Sequence, residues 1–550
     1  MVCNKCGMQN EDENKFCLSC GSVLEAAAEE TKTDAAEAVQ QTPAYETPAQ
    51  EKSGATEQLK KITGNKKLIG IVAAVLAVVI IAGIAIASTS GTDSVRKGYF
   101  SSIYDSNTKE CTIVYGGEII EKGVVGGGYF DEGYVSLYNS LSGEVAVYID
   151  SEKTLRAVTE DGSQKLAEDV SSVKAISDDG ERVIYTDVDG ATIVYDIDSG
   201  EKKTITEENV YNAAFSPDGK SIAYSTRVYP EISDEETTEY ENTSPEITGY
   251  VFIKNESKKV IDNGYALSLS DGAEYIYCTK EDSETKEDVL YVTNLDGDRK
   301  KITSNVGRIS YNSDRTEVLF SSDSKWYVCV KGGEKTRIEG ISSSVEYLYS
   351  IDYTYTGTTE SFQNCIMIAM IEDDGSLYKI DKKWSAEKLA GGIEELRVSD
   401  DGETIYYIKN DKLYLLGEDE ALDDEVVSFE ITHDGSAVYY ITEDETLYYK
   451  KGTGERKRVA DDVTEIHITH DDYALFKNED GTLYSSKNGK SPETICDDVT
   501  KVYTCVDYTY FYGDVESHEN KETGDTVHEC NVYMASKKAD FDKILSDIAY

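Results

Sequence analysis

Residues 213–225 read AAFSPDGKSIAYS. An apolar stretch runs into Ser216-Pro217-Asp218-Gly219 and a second alternating stretch leaves it, the pattern of a strand, a tight turn and a returning strand. The Asp-Gly pair supplies the positive φ that a two-residue hairpin requires. Related units stand at 175–185 (AISDDGERVIY), 267–277 (LSLSDGAEYIY), 396–407 (LRVSDDGETIYY) and 429–440 (FEITHDGSAVYY), with fainter copies at 309–315 and 466–472. The turn glycines Gly180, Gly219, Gly272, Gly402 and Gly435 lie 39, 53, 130 and 33 residues apart. Such spacing marks a repeat of about forty residues, the long gap holding three units with weak markers.

Within one unit VVSFEI, AVYYI, TLYYK and RKRVA make four alternating strands joined by short turns, so one face of each packs on a neighbouring unit. The unit resembles the strand–turn–strand signature of TolB-type, WD-repeat-like β-propellers, over roughly residues 100–515. The resemblance implies a mainly β fold with about eight to ten blades across 99–515, in one propeller or two. Residues 516–550 are then a C-terminal extension. An array of β-sandwiches is the rival fold, but it has no need of a Ser-Asp-Gly marker at this spacing. Residues 227–248 (RVYPEISDEETTEYENTSPEIT) interrupt a blade as an acidic insertion between strands.

The 550 residues carry 55 Lys and Arg against 105 Asp and Glu, a net charge of −50. That field repels phosphate backbones and excludes nucleic-acid binding through the body of the protein. It favours a neutral or basic partner. The acidity does not signal disorder, because 41 tyrosines and only 6 prolines are the opposite of a disordered composition.

The N-terminal region has a different character. Cys3-x2-Cys6 and Cys17-x2-Cys20 form two knuckles, each followed by glycine (Gly7, Gly21). Four thiolates in this arrangement suit a tetrahedral Zn2+ with no position left open for water, a structural ion rather than a catalytic one. So short a segment builds no core, so the metal supplies its folding free energy. Residues 1–22 resemble the short zinc ribbon found at the N-terminus of many bacterial proteins, often followed by a linker and one transmembrane helix. Residues 23–67 are an acidic flexible tether that ends in the basic KKITGNKK.

Leu68 to Ala87 contains only Leu, Ile, Val, Ala and Gly. Twenty such residues span roughly 30 Å as a helix, the thickness of a bilayer core. Lys60, Lys61, Lys66 and Lys67 on its N-terminal side place the zinc ribbon in the cytoplasm and the large domain outside the cell membrane. Ala85-Ile86-Ala87 also has the form of a signal-peptidase site, but the leader is too long for one. Ala73/Ala77 and Gly83/Ala87 are small residues four apart that let two helices approach, the basis for expecting a homodimer. Residues 88–98 link the helix to the repeats.

Motifs of chemistry are sparse. No P-loop, GxSxG or HExxH occurs. The five histidines are His433, His467, His470, His518 and His528. His433 and His470 share a Thr-His-Asp marker, which reads as a turn role, and His467 and His470 point to opposite faces of a strand. Asp187/Asp189 and Asp196/Asp198 have calcium-type oxygen donors, though hairpin turns generate the same pairs. Seven cysteines follow the apolar run (Cys111, Cys278, Cys329, Cys365, Cys496, Cys505 and Cys530), an odd number. Cys278 and Cys329 read as buried fillers, and Cys505 and Cys530 as candidates for a bridge. The tyrosines read as half-buried strand residues or as a sugar-stacking face.

The sequence therefore predicts a non-catalytic, membrane-anchored binding protein. Its extracellular propeller recognises a protein, peptide or glycan, and its ribbon docks a cytoplasmic protein. A passive envelope scaffold is the alternative, and an envelope enzyme with a site at the propeller mouth is a third.

Overall fold

The computed structural model describes residues 99–127, 133–229, 245–341, 345–350, 367–371, 375–381, 383–399, 403–505, 508–519, 526–536 and 539–549. The four ribbon cysteines, the tether and the apolar run 68–87 lie outside them. Among the described residues no helix is long and apolar enough to cross a membrane.

Among the described residues the strands assemble into eleven antiparallel sheets. The first, over 101–124, has three strands. Ten four-stranded sheets follow at 138–167, 170–206, 210–262, 265–303, 306–337, 345–390, 395–424, 426–460, 463–496 and 501–549. In every sheet the strands neighbour one another in chain order. The first strands of successive sheets also lie together, as Val170–Ile176 does on Val210–Phe215 and Val426–Ile431 on Val463–Ile468. First strands thus form an inner wall and fourth strands an outer rim.

Each sheet buries one face on the next sheet. Eleven apolar clusters fill these joints in chain order. Leu319, Trp326, Ile380 and Trp384 fill the joint between the sixth and seventh sheets. Ile103 and Val114 of the first sheet pack with Tyr510, Val532 and Ile548 of the eleventh, which closes the cycle. Backbone bonds reinforce the closure: the Ser106 N–H donates to the Ala549 carbonyl at 2.8 Å, and the Ala549 N–H donates to the Asp105 carboxylate at 3.0 Å. A mainly β chain of small four-stranded sheets in cyclic contact is consistent with a β-propeller.

Three sequence expectations change. The repeat count of eight to ten falls short of eleven sheets, and the shortfall includes the two ends. The first sheet carries no Ser-Asp-Gly marker. In the eleventh, Thr509–Glu519 runs through residue 515, and residues 526–549 complete the sheet instead of forming an extension. Its two long strands pair through a register shift between Gly513 and Glu516, which hides the usual strand–turn rhythm.

The marker hairpins have four-residue loops, not two-residue ones. Ser177, Ser216 and Thr432 each exchange a backbone bond with the residue five further on, at 2.9, 2.8 and 2.9 Å. The loop is a type I turn followed by the glycine in the left-handed region, with φ 79° at Gly180 and 65° at Gly219 and Gly435. The fainter copies place Arg315 (φ 57°) and Asp472 (φ 60°) at that position.

Candidate functional site

The marker explains itself at atomic level. The Ser216 hydroxyl donates to Asp218 Oδ1 at 2.7 Å and accepts the Ser221 N–H at 3.0 Å, while Asp218 also accepts the Lys220 N–H at 3.1 Å. Thr432, Asp434, Ser436 and Ala437 repeat the arrangement at 2.8, 3.0 and 2.9 Å. Ser177, Ser216 and Thr432 are buried, so each hydroxyl satisfies a hairpin N–H that water does not reach.

These turns gather at one end of the ring, where neighbouring ones are tied together. The Ser142 N–H donates to the Asp178 carbonyl at 2.8 Å, Arg182 Nη1 to the Gly219 carbonyl at 3.1 Å, and the Asp218 N–H to Asp271 Oδ1 at 2.9 Å. Arg315 of the sixth sheet reaches Asp178 of the third, with 4.0 Å between Nη2 and Oδ2. Burial pushes the Asp178 carboxyl up against the opposing pull of Arg315, and burial raises Asp271 as well. The result is a set of turns rich in hydrogen-bond acceptors around the guanidinium groups of Arg182 and Arg315.

A second set of charges lies on the first strands of later sheets. Arg397 spans to Glu430 through Nε at 3.1 Å and Nη2 at 2.9 Å, and also pairs with Glu395 at 2.7 Å. Glu465 pairs with His467 Nε2 at 2.6 Å and Lys477 Nζ at 2.7 Å. The bond to His467 leads in holding the Glu465 carboxyl down at about 2, against the opposing effect of burial.

The predicted site residues separate into placed and unplaced. Cys3, Cys6, Cys17 and Cys20 are outside the described residues, as are Gly402 and Cys365. Among the described residues no cluster of His, Cys, Asp and Glu is arranged to hold a metal ion. Asp187 Oδ1 accepts the Asp189 and Ala191 N–H groups at 3.0 and 2.9 Å, and Asp196 Oδ1 accepts the Ser199 N–H at 3.0 Å. Both are turn caps.

His433 has the turn role read from the sequence: its N–H and Nδ1 both meet Asp472 Oδ1 at 2.9 Å, joining the ninth and tenth sheets. His470 follows the end of strand Val463–Ile468, whereas His467 lies within it. His528 Nδ1 pairs with Ser517 Oγ at 2.8 Å. Among the described residues the six cysteines, Cys505 and Cys530 included, form no disulfide with one another. Burial pushes Cys111 up to about 11 and Cys278 and Cys530 up to about 12, which makes them inert fillers.

Several tyrosines belong to a device that the sequence reading missed. A second-strand aromatic stacks on a third-strand Tyr, and a Lys or Arg from at or near the fourth strand covers that ring. Phe320, Tyr327 and Lys335 form one such set, with 5.7 Å between centroids and 4.5 Å from cation to ring. Tyr440, Tyr448 and Arg456 form another at 5.6 and 4.5 Å. Phe511, Tyr533 and Lys543 form a third at 5.0 and 5.7 Å. The signal was present as Tyr followed eight residues later by a cation, at 291/299, 327/335, 448/456 and 449/457.

Residues 2–24 match the family model of a zinc-ribbon domain. No curated protein matches the chain. Among solved structures, a eukaryotic initiation factor aligns with 9% identity and a TM-score of 0.39, covering 72% of this chain and 95% of the other. The oligogalacturonate lyase of Vibrio parahaemolyticus aligns with 12% identity and a TM-score of 0.30, covering 67% and 97%. A TolB protein from Agrobacterium tumefaciens aligns with 16% identity and a TM-score of 0.26, covering 44% and 88%. At these values the likenesses say nothing about what this chain does.

Proposed function

We propose that this chain is a non-catalytic, membrane-anchored binding protein whose eleven sheets form one closed propeller outside the cell, with a cytoplasmic zinc ribbon. The observation that carries the reading is the layout: a zinc-ribbon match at 2–24, an apolar run at 68–87 with lysines on its N-terminal side, and a closed cycle of sheets after it. Four thiolates in two CxxC pairs are the donor set of a closed tetrahedral zinc site, so Cys3, Cys6, Cys17 and Cys20 would hold a structural Zn2+. The ribbon docks a cytoplasmic protein, and the propeller takes a neutral or basic partner in keeping with its charge.

Crosslinking and co-purification from native membranes test this, comparing the intact protein with Cys17→Ser/Cys20→Ser. A cytoplasmic partner lost with the ribbon variant is the expected result. If both forms recover the same partners, all of them in the envelope, the ribbon has no docking role. Recovery of no partner at all would leave the passive scaffold.

A further inference from the structure

The chain enters the ring at the end where the marker turns gather. The Phe100 N–H donates to Asn139 Oδ1 at 2.8 Å, and its carbonyl accepts from Asn139 Nδ2 at 3.2 Å. Asn139 directly precedes the turn 140–145, whose Ser140 N–H donates to the Val145 carbonyl at 2.8 Å, the closure seen in the markers. Ser142 of that turn is the residue tied to Asp178. On the other side, the Tyr508 hydroxyl donates to the Tyr99 carbonyl at 3.4 Å, from the turn between strands Lys501–Thr504 and Thr509–Glu519. Tyr99 and Phe100 thus lie between the first turns of the second and eleventh sheets.

The two ends of the ring differ in charge. In an antiparallel sheet whose first strand ends at a marker turn, the third-to-fourth turn lies at that same end. The second-to-third turn and the link to the next sheet lie at the other. The marker end mixes signs, with exposed Lys220, Lys254, Lys331, Lys383 and Lys490 in its turns among the aspartates. From the eighth sheet to the tenth, the opposite-end connections 410–411, 425, 443–446, 461–462, 479–482 and 497–500 hold Asp and Glu as their only charged residues. Exposed Tyr211, Val228 and Val427 also lie at that acidic end, at the start of a first strand or the close of a second.

Eleven residues, 88–98, separate the apolar run from Tyr99. Fully extended, they reach about 40 Å. To present the acidic end to a membrane they would have to cross three strand spacings and then the depth of one strand, roughly 35 Å and nearly their whole length. Electrostatics points the same way. Charges are screened within about 8 Å at physiological salt. Lipid phosphates facing the marker end therefore sense its mixed turns, and not the carboxylates about 20 Å behind them.

We propose that the propeller docks on the outer lipid surface by its marker-turn end, with Lys254, Lys331 and Lys490 towards the phosphates. Its acidic end, with Tyr211 and Val427, is turned outward. This rests on the reading of 68–87 as a membrane anchor and adds which end of the ring stays open to a partner.

The test uses the full chain in nanodiscs that contain anionic lipid and a headgroup-labelled acceptor lipid. Acridonylalanine serves as energy donor in place of Lys490 or Asp480, exposed turn residues at the two ends of the tenth sheet. A second pair replaces Lys331 or Asp323 in the sixth, which keeps the comparison if one label disturbs its turn. Transfer to lipid should be at least about twofold higher from the marker-end position of each pair, because about 20 Å separates the two ends. In the chain labelled at 331, Lys254→Glu/Lys490→Glu should lower transfer, and about 200 mM added salt should do the same. Equal or reversed transfer within the pairs overturns the proposal. So does transfer from position 331 that neither charge reversal nor salt alters. Flotation with vesicles separates this reading from the one beneath it. A chain that floats without the asymmetry keeps its anchor and loses this orientation, whereas a chain that does not float loses both.

Discussion

Ser216 occupies a place where one hydroxyl does two jobs, donating to Asp218 and accepting the Ser221 N–H in a turn that water does not reach. Replacing it with alanine leaves that N–H buried without a partner, at a cost of about 1–3 kcal/mol. Ser216→Ala should therefore lower the midpoint of chemical denaturation with its slope unchanged. Ser216→Thr should restore most of the loss, because Thr432 does the same work in the ninth sheet. Glu465 makes a different prediction. Its folded-state pKa of about 2 lies below the ordinary value of 4.5, because of its bonds to His467 and Lys477. A depressed carboxylate contributes stability that is fully present above pH 4.5 and is lost as the pH falls towards 2. The acid limb of a stability–pH curve should flatten in that window in Glu465→Gln. An unchanged limb would mean that the pair exists only weakly in solution.

At the scale of the strand, the stacked sets explain how an acidic chain carries exposed edge strands. Fourth strands such as Lys202–Thr206, Arg299–Thr303 and Lys457–Ala460 are rich in cations, which discourages edge-to-edge association. The same cations cover tyrosine rings, so the edge charge also packs. Arg456 adds a tie between sheets, with Nη1 2.8 Å from both oxygens of the nearly buried Asp423, to which the Tyr440 hydroxyl also donates. Burial pushes the Asp423 carboxyl up, but the bonds from Tyr440 and Arg456 outweigh it and hold it low. Arg456→Met keeps some cover over Tyr448 but removes the charge-assisted bonds, and should cost about 2 kcal/mol in denaturant titrations. Lys457→Met, whose cation stands 5.5 Å above Tyr449, should cost under about 0.5 kcal/mol. The repeat was legible here because each marker writes its hydrogen bonds as residue types: Ser or Thr, then Asp, then a residue able to take positive φ. The tyrosine–cation sets left only the eight-residue spacing as a trace, because which ring meets which neighbour depends on cross-strand register, which pairs Tyr440 with Tyr448 and Tyr448 with Arg458 across a bulge.

For the whole molecule the decisive feature is closure, and closure is what no single repeat could announce: Ile103 and Val532 are more than four hundred residues apart yet share a cluster. In an open array of sheets the end units fray independently, whereas a closed cycle ties every sheet to two neighbours. The only two tryptophans, Trp326 and Trp384, both sit in the joint between the sixth and seventh sheets, far along the chain from the closing joint. Tryptophan emission therefore reports one distant joint, while amide exchange in strands Ser101–Asp105 and Lys501–Thr504 reports the closure. In the intact chain the two should lose protection together as denaturant is added. Deleting residues 539–550 removes strand Asp542–Ala549 and its bonds to Asp105 and Ser106, and turns the cycle into an open array. Exchange in the first and eleventh sheets should then run ahead of the tryptophan transition by several tenths of a molar in urea, with total stability lower by a few kcal/mol. If the truncated chain still unfolds with both signals coincident, the sheets are not coupled through the closing joint, and two independent rings would account better for the chain than one.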